Sequence, residues 1–127
     1  MVMSTNGPGL FTYNPDGSRQ RNPDISDADY AKGIEELKNL QIEALWQAAT
    51  DHEQAYIYGS AIGVLAVGVL QGKPKSLAVK GWIDSIWALY YQRKPQVTEV
   101  WNTALNDFSS CGPMPYSCPE LMTEIGF

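Results

Sequence analysis

Side chains able to carry acid–base, thiol or metal chemistry are few and dispersed: one histidine, two cysteines and fourteen carboxylates in 127 residues. The histidine stands in the run Asp51-His52-Glu53, a composition suited to proton transfer if the three groups converged. Adjacent residues on a helix point in different directions, so these three cannot meet at one substrate atom. His52 therefore reads as a polar residue at a helix start. Cys111 and Cys118 have six residues between them, Pro113 and Pro115 included. A disulfide is sterically feasible there, but two cysteines form no framework, and the favoured reading is two reduced thiols. Zinc asks for about four ligands and His52 is distant in sequence, so no metal site is expected.

The glycines from Gly59 to Gly68 lack the spacing and the preceding strand of a dinucleotide fingerprint. There is no phosphate-binding loop or nucleophile elbow, and the carboxylates are scattered with no recognisable pair. The expectation is a non-enzyme, with no catalytic residues, no metal and no cofactor.

Helices must position whatever function exists. At 127 residues with 44% hydrophobic residues, one domain can bury a core without staples. Four Trp and seven Tyr suit helix contacts and protein interfaces, where one end of a ring is dry and the other wet. The net charge of −5 argues against nucleic acid and anionic lipid as partners. Lys73, Lys75, Lys80, Arg93 and Lys94 against Asp84 give one segment +4, leaving −9 elsewhere. The bland reading of that asymmetry is a solvated helix rim.

Residues 1–25 read as an arm. Gly7-Pro8-Gly9 and Asn14-Pro15-Asp16-Gly17 are turn signals, and the second separates Leu10–Tyr13 from Ser18–Arg21, a short hairpin pattern. An isolated two-stranded hairpin is marginal in water, so the arm must lean on its own domain or on a neighbouring chain. The arm shows no basic start and apolar run of a signal peptide, so export by that route is not expected.

Residues 26–110 read as a bundle of three to four helices, which makes the fold class all-α with an extended or hairpin N-terminal arm. Ser26 caps the first helix with Asp29 at the capping-box position, and its apolar period runs to about Ala49. Thr50 and Glu53 form a second capping box, so a break or bend is expected there rather than a continuous helix. From Ala55 to Leu70 sixteen residues carry no charge. Gly59 and Gly63, four apart, should sit at a close helix crossing, within the chain or between copies.

Gly72 and Pro74 end that helix. A third helix, about Lys75 to Arg93, should pack Trp82, Ile83, Ile86 and Tyr90 on the second, because the turn between them is short. Val97, Val100, Trp101, Ala104, Leu105 and Phe108 predict a fourth helix over about Gln96 to Phe108. Residues 111–127 form a Pro-rich tail in which Ser117 and Pro119 open a last helical turn.

A membrane span needs ~20 apolar residues, more than the sixteen available here, and the third helix would carry Lys80 and Asp84 into lipid. A membrane is therefore disfavoured as a partner. Interface residues are expected at Leu10, Phe11 and Tyr13 of the arm, at Gly59 and Gly63, and at Trp82, Trp87 and Tyr91.

The stretch Gly81 to Lys94, GWIDSIWALYYQRK, resembles a Trp-rich helix of small proteins encoded by tailed bacteriophages, where an aromatic is followed by basic residues. A turn-rich arm before a compact helical body also resembles small virion and tail proteins. The resemblance implies a structural or assembly protein of a virion or tail, placed in the virion or host cytoplasm. Its partners would be copies of itself or neighbouring virion proteins, and its arm would dock on a neighbouring subunit. Two other classes fit the composition: a small acidic inhibitor or immunity-type protein that binds a basic partner, and a small holin-like membrane protein.

Overall fold

The computed structural model describes residues 9–127, so the Gly7-Pro8 turn signal lies outside the described residues. The protein is an all-α domain preceded by a short β-hairpin. Strands β1 (Phe11–Tyr13) and β2 (Arg19–Arg21) pair antiparallel, with Thr12 opposite Gln20. Asp16 turns the chain by accepting from the Ser18 amide at 2.9 Å, and Gly17 takes a positive φ of 88°.

Helix α1 (Asp27–Gln54) starts where Ser26 accepts from the Asp29 amide. The hairpin leans on it. Leu10, 6% exposed, fills the space above Gly33, where a Cβ would come within 2.3 Å of its Cδ2. Phe11 meets the Tyr30 ring edge-on at 6.0 Å, and Arg21 pairs with Asp27.

The expected break at residues 50–53 is absent, and α1 continues to Gln54. The capping groups are used otherwise. Asp51 accepts sideways from Gln47 at 2.8 Å, and the Thr50 hydroxyl is buried with no partner. The chain turns after the Ala55 amide has closed on the Asp51 carbonyl at 2.9 Å.

Helix α2 (Ser60–Leu70) is shorter than the uncharged run, because Gly59 adopts φ 62° and stands before the helix. At the other end the Lys73 amide reaches the Gly68 carbonyl and Gly72 reaches that of Val69. This paired closure around a left-handed glycine, with Gly72 at φ 68°, is the Schellman arrangement.

Helix α3 (Pro74–Arg93) is the central element, packed on α1, on α2 and on the C-terminal helix α4 (Cys118–Glu124). Its buried face is Ser76, Val79, Trp82, Ile86 and Tyr90. At 1.5 Å per residue α2 is ~16 Å long and α3 ~30 Å, so α2 reaches only the first part of α3. The close approach is at Gly68, where a Cβ would lie 1.9 Å from the Ser76 Oγ. Of Trp82, Ile83, Ile86 and Tyr90, expected on the second helix, the first two fall within the length of α2 and Tyr90 lies beyond it. Trp82 meets His52 and Tyr56 at the end of α1, with centroids 5.9 and 5.4 Å away.

The fourth helix expected over Gln96–Phe108 does not form. The segment is irregular, with 3-10 turns at Lys94–Gln96, Thr103–Asn106 and Ser109–Cys111. Its side chains compete for the backbone: Asn102 accepts from the Ala104 amide, Asp107 from Ser109 and Thr98 from Val100. Long side chains from the helices bond its backbone at Asn102, Leu105 and Asp107. Gln41, 1% exposed, bonds the Asn102 backbone twice, and Arg93 donates to the carbonyls of Leu105 and Asp107. Val97, Leu105 and Phe108 still reach the core, while Val100 and Trp101 stay more than half exposed.

Ser117 and Glu120 form a capping box that opens α4. Its Glu124 carboxylate accepts from the amides of Lys75 and Ser76 at 2.7 and 2.9 Å and from the Ser76 hydroxyl at 2.8 Å. A carboxylate from the tail thus caps the positive end of α3.

Candidate functional site

An eleven-residue helix packed on neighbours at one side can bury only one stripe. In α2 that stripe is Leu65 and Gly68, flanked by partly buried Ala61, Val64 and Val69. Every other position is apolar too, apart from Ser60. Ile62, Gly63, Ala66, Val67 and Leu70 therefore face outward at i, i+1, i+4, i+5 and i+8. Ile62 is 51% and Leu70 88% exposed. Gly63 has nothing within 4 Å of a Cβ position, so the middle of this face is a shallow trough. A contiguous uncharged patch of this kind marks an interaction surface more often than a solvated one.

The residues expected at interfaces are distributed differently. Leu10 is buried and Phe11 half-buried against α1, while Tyr13 is exposed. Gly59 serves the turn before α2, and among the described residues none from another element comes within 4 Å of a Cβ position at Gly59 or Gly63. Trp82 is a core residue. Trp87 is half-buried and donates its indole N–H to Glu53 at 3.0 Å. Tyr91 is exposed, its ring edge-on to Tyr90 at 5.0 Å. Trp46, which periodicity left unremarked, stands half exposed 6.3 Å from Trp87. Ile62, Val67 and Leu70 were equally hidden in an undifferentiated apolar run. The signal available for them was its excess of apolar residues over what one short helix can bury.

His52 is placed by two contacts. Its Nε2 lies 2.8 Å from the Gly112 carbonyl, which also accepts from the Trp82 indole at 3.0 Å. A carbonyl only accepts, so the Nε2 that faces it carries a proton. Beside it a cleft of about 610 Å³ opens between α1 and the 106–113 segment. Asp107, on its wall, is held below the usual carboxylate range by the Ser109 hydroxyl and amide and by the charges of Arg93 and His52.

Cys111 and Cys118 are both free thiols. Burial pushes the Cys111 thiol upward against the opposing Arg93 charge, which keeps it protonated and unreactive. Among the described residues no group of three or more His, Cys, Asp and Glu is placed to hold a metal ion. No helix among them is long and apolar enough to cross a membrane.

Comparison with known proteins returns no match to a family model, a curated protein or a solved structure.

Proposed function

We propose that this protein is a non-catalytic assembly module that pairs with a second copy of itself across the outward face of α2. The observation that supports this reading is the combination of apolar exposure and missing charge along Ile62, Gly63, Ala66, Val67 and Leu70. Copies of a chain with net charge −5 repel over most of their surface, and this face is where they can meet without that repulsion. The trough at Gly63 and Ala66 lets a partner backbone come close. A two-fold pairing uses the same patch twice, the commonest symmetry of homo-oligomers. Fully burying one Leu is worth ~1.5–3 kcal/mol, and two-fold symmetry counts Leu70 twice. A structural role in a phage virion or tail is the finer form of this reading, supported by the resemblance of residues 81–94.

The test is size-exclusion chromatography with light scattering on the full chain, beside Leu70→Glu and Ile62→Glu. A dimer that both substitutions convert to a monomer with an unchanged far-ultraviolet spectrum is the expected result. A monomeric wild-type chain at the highest attainable concentration overturns the proposal.

A further inference from the structure

We propose that the groove between α1 and the C-terminal half of α3, built around Trp46 and Tyr90, binds a saccharide. This inference is independent of pairing through α2, because no residue of α2 lines the groove.

The helical repeat builds the site. Ile42 with Trp46, and Glu43 with Gln47, are four residues apart on α1, so each pair stands one turn above the other on the same side of the helix. Tyr90 reaches them from α3, and together these residues line an open groove of about 490 Å³, within the range of small-molecule sites. Trp46 is 48% exposed. The Trp87 ring backs it from α3, with centroids 6.3 Å apart and planes tilted by 51°. Trp87 is itself held through its indole N–H by Glu53 at 3.0 Å. The Trp46 indole is thus a flat, half-open surface supported before any ligand arrives.

Tyr90 supplies the polar point. It is 6% exposed, and its hydroxyl bonds no group among the described residues. The side-chain oxygens sealed without a partner belong to Thr12, Thr50 and Asn106, so the Tyr90 hydroxyl still meets solvent, and the groove is the space this residue lines. A buried phenol usually finds a partner for its O–H, and a ligand hydroxyl would complete that bond. Beside it stand one carboxylate, Glu43, and one amide, Gln47, both exposed. Gln47 gives an N–H to Asp51 at 2.8 Å and keeps its carbonyl oxygen. No Lys or Arg lines the groove. An anion would meet Glu43 without a counter-charge, and a wholly apolar ligand would leave the Tyr90 hydroxyl bare. A cation would find a single exposed carboxylate, worth little in water. A pyranose satisfies every part at once. Its C–H face lies flat on the indole, and its hydroxyls, donors and acceptors alike, pair with Tyr90, Glu43 and Gln47.

The experiment titrates the full chain with maltose, cellobiose, lactose and N,N′-diacetylchitobiose while the Trp46 indole N–H resonance is followed by NMR. Glycerol is the control that has hydroxyls but no ring face, and decaproline is the peptide control. Saturable movement of the Trp46 signal by at least one disaccharide, with both controls silent, is expected. Tyr90→Phe should weaken that binding about tenfold, equivalent to ~1.4 kcal/mol, at an unchanged melting temperature, because the hydroxyl it removes bonds nothing among the described residues. Trp46→Ala should abolish binding while the far-ultraviolet spectrum is kept. No movement with any of the sugars up to their solubility limits overturns the proposal. So does movement by decaproline alone, movement by glycerol as strong as by the sugars, or sugar binding that both substitutions leave intact.

Discussion

Two glycines five residues apart on α2 should respond to alanine with opposite signs. Gly63 and Gly68 are both interior to the helix, so alanine at either gains ~1 kcal/mol of helix propensity. At position 63 nothing lies within 4 Å of the new methyl group, and the gain should stand. At position 68 the methyl would sit 1.9 Å from the Ser76 Oγ and 2.6 Å from its Cβ. Ser76 is fully buried and tied through its amide and hydroxyl to Glu124, so it has nowhere to turn. The α2–α3 corner must open, at an overpacking cost of ~1–3 kcal/mol, and the Ser76–Glu124 bond is disturbed as well. The two variants should thus differ by at least ~1–3 kcal/mol, and at this chain length each kcal/mol moves the melting temperature by roughly 3–5 °C. Thermal and urea unfolding followed by circular dichroism, on dilute protein so that self-association does not contribute, measures the difference. Gly63→Leu extends the test: the monomer should stay folded while pairing through the trough weakens. If Gly68→Ala stabilised the chain as much as Gly63→Ala, the account of the close approach would be refuted.

The hairpin should contribute to stability: Leu10→Ala is expected to cost about 2–3 kcal/mol as a large-to-small change at a buried site, and removal of residues 1–24 with no change in melting temperature would contradict it. Glu124 gives a pH signature. Burial raises its pKa, but the amides of Lys75 and Ser76 and the Ser76 hydroxyl outweigh this and leave it lowered. A carboxyl lowered on folding stabilises at pH values above its unfolded pKa, ~4.3, and that stability is lost as pH falls through the lower folded value. Glu124→Gln should therefore melt lower than wild type at pH 7 and lose less on acidification to pH 3; equal acid sensitivity of the two chains would remove the carboxylate cap from the account.

What the sequence made legible follows how local each signal is. Ser26 with Asp29, Ser117 with Glu120, Gly72 before Pro74 and the Asn14–Gly17 turn act within a few residues, and each appears where its chemistry places it. The apolar stripe of α3 was equally plain, because one side of a long central helix faces several neighbours. The failures share a different cause. Thr50 and Asp51 are capping residues by type, yet a cap forms only if the chain turns there. Gln47 engages Asp51 from within the helix, and the chain turns only after Gln54. Gly59 and Gly63 looked like a contact stripe by spacing, while the tight contact falls at Gly68, a position fixed by where the turn brings Ser76.

The 97–108 segment shows the same limit from the other side. Its apolar residues have helical spacing, but what decides its conformation lies 61 residues before Asn102, at Gln41, and at the end of α3. Gln41 and Arg93 supply the hydrogen bonds that a helix would have made for itself, and Asn102 and Asp107 turn the backbone locally. An irregular segment held by long side chains can carry carbonyls and carboxylates into positions that a helix would have used up internally. That is why the cleft beside His52 exists at all. The polar residue that looked ordinary in a run of three gains its chemical setting from Gly112, sixty residues away.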